Sequence, residues 1–231
     1  MKETKVNKDQ IPINFSFIAN KRFYNYLIGN NQIIIDILKE LTIAIEPKII
    51  FIRGNNSSGK SHLCSAVYED TKKNAFYLSH EDTQKINNIE INNIDLIIID
   101  NIDKLINEHY LEEQLFMIIN ELILMRKSIL VTSTLPLKKI NFKLPDLVSR
   151  LKWDQVLEIT ELDDNNKIKV LQKYANERGW VLDKKVCDYI MSHYRRDLFF
   201  LCNSIKHIDD ASLSLKKNIT IPFIKKIIEY K

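Results

Sequence analysis

The residues best suited to chemistry are Gly54, Asn55, Asn56, Ser57, Ser58, Gly59, Lys60 and Ser61, which fit the pattern G-x-x-x-x-G-K-S. Glycine at both ends lets the backbone turn tightly enough for a run of main-chain N–H groups to close on an anion. Lys60 would reach the β and γ oxygens of a nucleotide, and Ser61 would offer its hydroxyl to a Mg2+ ion that keeps most of its water ligands. The chain has only 4 glycines. Two of them at this spacing before Lys-Ser should arise by chance on the order of once in a thousand such sequences. The expected ligand is therefore ADP or ATP with Mg2+. Such a metal site also needs an acid at the C-terminal end of a neighbouring strand, and Asp100 closes the apolar run Leu96-Ile97-Ile98-Ile99. At the end of the apolar run SILVT, Thr132, Ser133 and Thr134 could each place a hydroxyl near the γ-phosphate, and Thr134 is the choice.

These residues need a scaffold that brings strand ends together. Short apolar runs at 48–53, 75–78, 95–100, 128–132 and 156–159 alternate with amphipathic stretches at 61–71 and 108–126. That alternation predicts a parallel sheet with crossover helices, an α/β fold. Past about residue 160 the pattern changes to four helical stretches, at 163–178, 183–194, 197–213 and 222–230. Asp163 and Asp183 suit N-caps, Gly179 suits a C-terminal stop, and Pro222 suits a first helical turn. The expected division is a tail over 1–15, a nucleotide-binding α/β domain over 16–160 and a small all-helical lid over 161–231.

Composition sets the limits around that scaffold. Hydrophobic residues are 45% and charged residues 28% of the chain, which suits a folded globular protein. The balance of 34 basic and 30 acidic residues, net +4, provides no strong field for nucleic acid. Cys64, Cys187 and Cys202 are odd in number and lack CxxC spacing, so they read as buried thiols and not as a disulfide framework or a zinc site. No apolar run reaches the length of a membrane span, and the polar segment Met1–Gln10 lacks a signal-peptide core. A cytoplasmic protein with no membrane association is expected.

The segments IIIDNIDKL around Asp100, LPDLVSRLKWDQ from Leu144 to Gln155, and DDASLSLKKNITIPFIKKII near the end resemble the Hda type of DnaA regulatory protein, a short AAA+ relative of the bacterial replication initiator. The likeness runs through nearly the whole chain. It implies a three-layer P-loop AAA+ domain followed by the helical lid, and it implies roles for particular residues. The arginine of S-R-L, here Arg150, would be an arginine finger acting on a neighbour's ATP. The segment Gln10-Ile11-Pro12-Ile13-Asn14-Phe15 resembles a peptide that docks on the DNA polymerase III beta sliding clamp, with Gln10, Ile11, Ile13 and Phe15 as its anchors. The stretch Phe23–Gly29 resembles the wall of an adenine pocket, with Tyr26 and Leu27 as the contacts.

The resemblance further implies DnaA and the clamp as partners, a homo-oligomer, and no specific DNA binding, since the chain lacks the helix-turn-helix domain that follows the lid in DnaA. Three positions depart from the pattern. Asn101 stands where most AAA+ ATPases carry a second acid, which predicts slow intrinsic hydrolysis unless Asp103 substitutes. Phe199 aligns with the sensor II arginine, with Arg195 and Arg196 nearby. Thr134 replaces an aspartate at sensor I.

The function so implied is negative regulation of chromosomal replication initiation, by stimulating hydrolysis of ATP on DnaA. Two other readings compete. A stand-alone P-loop ATPase or kinase predicts steady turnover by the protein alone. A helicase-loader-like ATPase predicts single-stranded DNA binding that falls steeply with salt.

Overall fold

The computed structural model describes residues 21–105, 109–215 and 219–228. Three of the apolar runs become strands with no solvent-facing side: β1 (Ile49–Arg53), β3 (Leu96–Asp100) and β4 (Ser128–Ser133) are buried along almost their whole length. Side chains alternate across a strand, so each run feeds two cores at once. Phe51, Ile97, Ile99, Ile129 and Val131 face one core, and Ile50, Ile52, Leu96, Ile98 and Leu130 face the other. Two further strands, β2 (Ala75–Ser79) and β5 (Gln155–Glu158), are less buried and close the edges. All pairings are parallel, in the order β2-β3-β4-β1-β5.

Helices cover both faces. The first core is closed by α4 (His109–Leu124) and α5 (Pro145–Leu151), through Leu115, Ile119, Leu122, Leu147 and Leu151. A single turn, α3 (Ile102–Leu105), leads from β3 toward α4. The second core is closed by α1 (Gln32–Ile43) and α2 (Lys60–Asp70), through Ile35, Leu38, Leu41, Leu63, Cys64 and Val67. The result is a three-layer α/β/α domain. The sequence reading does not anticipate α1. Its run Ile33-Ile34-Ile35 has no period of its own, and only the buried set Ile34, Ile35, Leu38 and Leu41 reveals a helical face.

Residues 21–170 form one compact unit and the described residues from Leu171 onward another. The helices of the C-terminal region are α6 (Asp164–Glu177), α7 (Lys184–His193), α8 (Leu198–Leu215) and α9 (Ile221–Ile228). The second unit is built on Leu171, Tyr174, Cys187, Ile190, Leu201, Ile205, Ile208 and Ile224, all fully or nearly fully buried. Asp163 caps α6 by accepting the Asn166 N–H at 2.7 Å. Gly179 stops that helix at φ 82°: its N–H donates to Asn176 O at 3.0 Å while Trp180 N–H reaches Ala175 O at 3.1 Å, a Schellman pair. Asp183 holds the N-cap position of α7 as expected, with extended backbone and no capping bond from its side chain. Cys64 and Cys187 are buried and Cys202 is half-buried. Among the described residues no helix is long and apolar enough to cross a membrane.

Candidate functional site

In a parallel sheet every strand delivers its C-terminal end to the same edge, and the order β3-β4-β1 brings three loops together there. The loop after β1 is Gly54–Gly59, and α2 begins at Lys60. Gly54 is tied to the next strand by its N–H, which donates to Ser133 O at 3.0 Å. A side chain at Gly54 would stand 3.2 Å from Ile159 Cβ and against Ser58. The loop then turns twice through left-handed backbone, at Ser57 (φ 59°) and Gly59 (φ 97°), and Ser58 N–H closes it onto Asn55 O at 3.1 Å. Among the described residues no protein acceptor meets the N–H groups of Asn56, Ser57, Gly59, Lys60 and Ser61. A run of unpaired donors at a helix N-terminus, exposed at Asn56 but half-buried or buried at Ser57, Gly59, Lys60 and Ser61, fits a phosphate group, whose oxygens would supply what the protein does not.

Lys60 is buried, and its ammonium donates to Gly54 O at 2.7 Å and Asn55 O at 3.0 Å. Burial pulls its pKa below the ordinary lysine value, while Asp100 and Asp103 oppose the shift. The loop itself is braced from outside: Arg53 pairs with Glu158 and reaches Asn55, and Asn55 donates to Glu161.

Asp100 ends β3 as expected, and it is nearly fully buried. One carboxylate oxygen accepts the Thr132 hydroxyl at 2.7 Å and the other accepts the Tyr77 hydroxyl at 3.1 Å. A carboxylate has about four lone-pair sites, so acceptor capacity remains for a metal-bound water. Ser61 and Asp100 thus fit a hard cation that keeps its own waters and is completed by phosphate oxygens. Among the described residues no group of three or more His, Cys, Asp or Glu side chains is placed to hold a metal ion.

Asn101 adopts φ 57°, its N–H bonds Thr132 Oγ1 at 3.0 Å, and its amide nitrogen lies 3.5 Å from Ser61 Oγ. Asp103 accepts the Thr134 N–H at 3.1 Å, and the Thr134 hydroxyl is buried without a partner. Sequence reasoning misses Tyr77, and it considers Thr132 only as a hydroxyl near the γ-phosphate and not as a partner of Asp100. Neither carries a motif, and only strand register reveals them: Ser79 pairs with Asp100 and Ile99 with Val131.

Tyr26 reaches the loop. Its hydroxyl donates to Ser58 O at 3.4 Å, and a Cβ at Gly59 would stand 2.6 Å from its ring. The ring also meets His62 edge-on, with centroids 5.3 Å apart. Leu27 is half-buried beside it. Asn31 anchors this segment by exchanging two hydrogen bonds with the Thr160 backbone, at 3.0 and 2.8 Å. Arg150 lies on the last turn of α5, half-buried, and among the described residues no hydrogen bond or ion pair engages its guanidinium. In the second unit Phe199 is exposed, Arg195 pairs with Asp197 at 3.0 Å, and Arg196 donates to Met191 O at 2.9 Å. Gln10, Ile11, Ile13 and Phe15 lie outside the described residues.

Residues 164–228 match the family model described as the lid domain of Hda. An uncharacterized protein of Haemophilus influenzae is 29% identical over 226 residues, covering 95% of this chain and 98% of its own. Domain III of the Thermotoga maritima replication initiation protein DnaA superposes with a TM-score of 0.78 at 18% identity, covering 91% of this chain and 96% of that one. AMPPCP-bound DnaA from Aquifex aeolicus gives 0.66 at 24% identity, covering 80% and 64%. The Thermotoga maritima RuvB Holliday junction branch migration motor gives 0.68 at 14%, covering 93% and 73%. The fold is the one shared with these DnaA and RuvB domains, a five-stranded parallel sheet between helices followed by a helical region.

Proposed function

We propose that this chain, an Hda-like and DnaA-related AAA+ protein, is a negative regulator of replication initiation that stimulates hydrolysis of ATP bound to DnaA. The observation that carries the reading is Arg150: a half-buried guanidinium at the end of α5 with no partner of its own among the described residues. A planar, permanently charged group left unpaired on a rigid element suits charge developing on a phosphoryl group across a subunit boundary. Such a finger is worth roughly 10³ to 10⁵ in rate.

The protein's own cradle takes ADP or ATP. The loop N–H groups and Lys60 hold the phosphates, Tyr26 and Leu27 wall the base, and Thr134 faces the γ-position, while Ser61 and Asp100 are the residues that would hold Mg2+. The metal, when bound, would neutralise phosphate charge. Asn101 has no carboxylate to orient or deprotonate a water. The site is therefore suited to keeping nucleotide, which fixes the folded arrangement by binding to it. Gln10, Ile11, Ile13 and Phe15 dock the protein on the polymerase III beta clamp, in the cytoplasm. Homo-oligomer formation belongs to the same reading, because one chain carries both a cradle and a finger. The division into a tail over 1–15, a nucleotide-binding domain over 16–160 and a lid over 161–231 is retained as part of it.

The test is hydrolysis of ATP on purified DnaA with clamp-loaded DNA. The protein is expected to accelerate it, and its Arg150→Ala form to give none of that acceleration. Equal activity of the two forms removes Arg150 from this role. Steady ATP turnover by the protein alone would instead favour a self-contained ATPase.

A further inference from the structure

The base-wall reading leaves part of Tyr26 unexplained, because its ring and hydroxyl both meet the phosphate loop. The hydroxyl donates to Ser58 O at 3.4 Å. A trans peptide points its C=O and the following N–H in opposite directions, so drawing the Ser58 carbonyl toward Tyr26 turns the Gly59 N–H away from it, into the loop. Gly59 sits at φ 97°, and the ring occupies the space that a Cβ there would need, 2.6 Å from Cε2 and 3.1 Å from the hydroxyl oxygen. The chain thus has a glycine here for two reasons, backbone sign and contact with an aromatic face.

The ring is itself held. His62, one turn into α2, packs edge-on against it, and His62 Nε2 lies 3.0 Å from Arg22 O and 2.9 Å from Asn25 Oδ1. Asn25 Oδ1 already accepts the Arg22 N–H at 2.9 Å, so both neighbours of Nε2 are acceptors and that nitrogen carries the hydrogen. Burial pushes the Tyr26 phenol up to about 12, which keeps it a neutral donor across the physiological range.

We propose that Tyr26, braced by His62 and Asn25, is a positioning residue of the phosphate loop that holds the Gly59 N–H aimed at the anion independently of any base. The inference rests on the phosphate-cradle reading above and deepens it: the segment that walls the base also presets the phosphate site. Inorganic pyrophosphate separates the two roles, since it has phosphates and no base. Tyr26→Leu keeps apolar bulk but lacks ring and hydroxyl, and Tyr26→Phe restores the ring.

Calorimetric titration of ADP and of inorganic pyrophosphate into the full chain is expected to show both weakened by about tenfold in Tyr26→Leu. Tyr26→Phe, which restores the ring contact with Gly59 but not the bond to Ser58 O, is expected to recover part of both, and circular dichroism melting should show each variant folded. Weakened ADP with unchanged pyrophosphate overturns the proposal and leaves Tyr26 as a base wall alone. Unchanged binding of both overturns it as well, as does a wild-type protein that takes ADP but no pyrophosphate. A wild-type protein that takes neither defeats the phosphate-cradle reading itself.

Discussion

At the scale of single residues, the proposed slow intrinsic hydrolysis rests on Asn101. Its backbone lies at φ 57°, a region that asparagine and aspartate tolerate better than other non-glycine residues. Asn101→Asp therefore fits the same backbone and puts a carboxylate where the amide nitrogen now stands 3.5 Å from Ser61 Oγ. General-base assistance contributes typically 10² to 10⁴ in rate. Single-turnover assays with bound ATP are expected to show faster hydrolysis in the variant than in the wild type, by tenfold or more even with imperfect geometry. An unchanged rate would mean that the missing acid is not what limits this site. The phosphate loop was legible in the sequence because its eight residues are contiguous. Thr132 and Tyr77 were not, because their contact with Asp100 joins residues 32 and 23 positions apart.

At the scale of elements, the end of the sheet away from the site depends on Asp95. Its carboxylate accepts Lys127 Nζ at 2.9 Å and the Asn74 N–H at 3.3 Å, and its backbone O accepts the Ser128 N–H at 3.0 Å, so it joins the starts of β2, β3 and β4. The Lys127 bond holds its carboxyl below the ordinary carboxylate value. A folded pKa that is depressed stabilises the protein above the unfolded pKa, and the contribution is lost as pH falls through the folded one. Asp95 is half-exposed, so the effect is screened and worth at most about 1 kcal/mol. Urea denaturation should find Asp95→Asn less stable than the wild type at pH 7, with the gap closing as the pH drops below about 4. A gap that does not shrink at all as the pH is lowered from 7 through the carboxylate range would assign the loss to packing and not to charge.

The strands were readable to within a residue or two, since three of them are continuous apolar runs. Helix α1 was not, because a triple isoleucine reads equally as strand or helix until its partners are known.

At the scale of the whole molecule, the proposed regulator separates holding a nucleotide from reaching a partner. A protein with Gln10→Ala and Phe15→Ala is expected to lose clamp binding, measured by surface plasmon resonance, while its ADP affinity stays within about twofold of wild type. Loss of both together would argue that residues 1–15 belong to the nucleotide site and not to a separate docking peptide.

What the sequence determined by itself was whatever rests on neighbours along the chain: the G-x-x-x-x-G-K-S loop, the apolar strands, the Schellman stop at Gly179 and the resemblance carried by LPDLVSRLKWDQ. Tertiary structure alone decided which strand ends meet, which oxygens of Asp100 are engaged, and that Tyr26 lies on Gly59. The physical reason is that periodicity and backbone preference are local, whereas parallel register and aromatic contact join residues tens of positions apart and are chosen by the packing of both cores together.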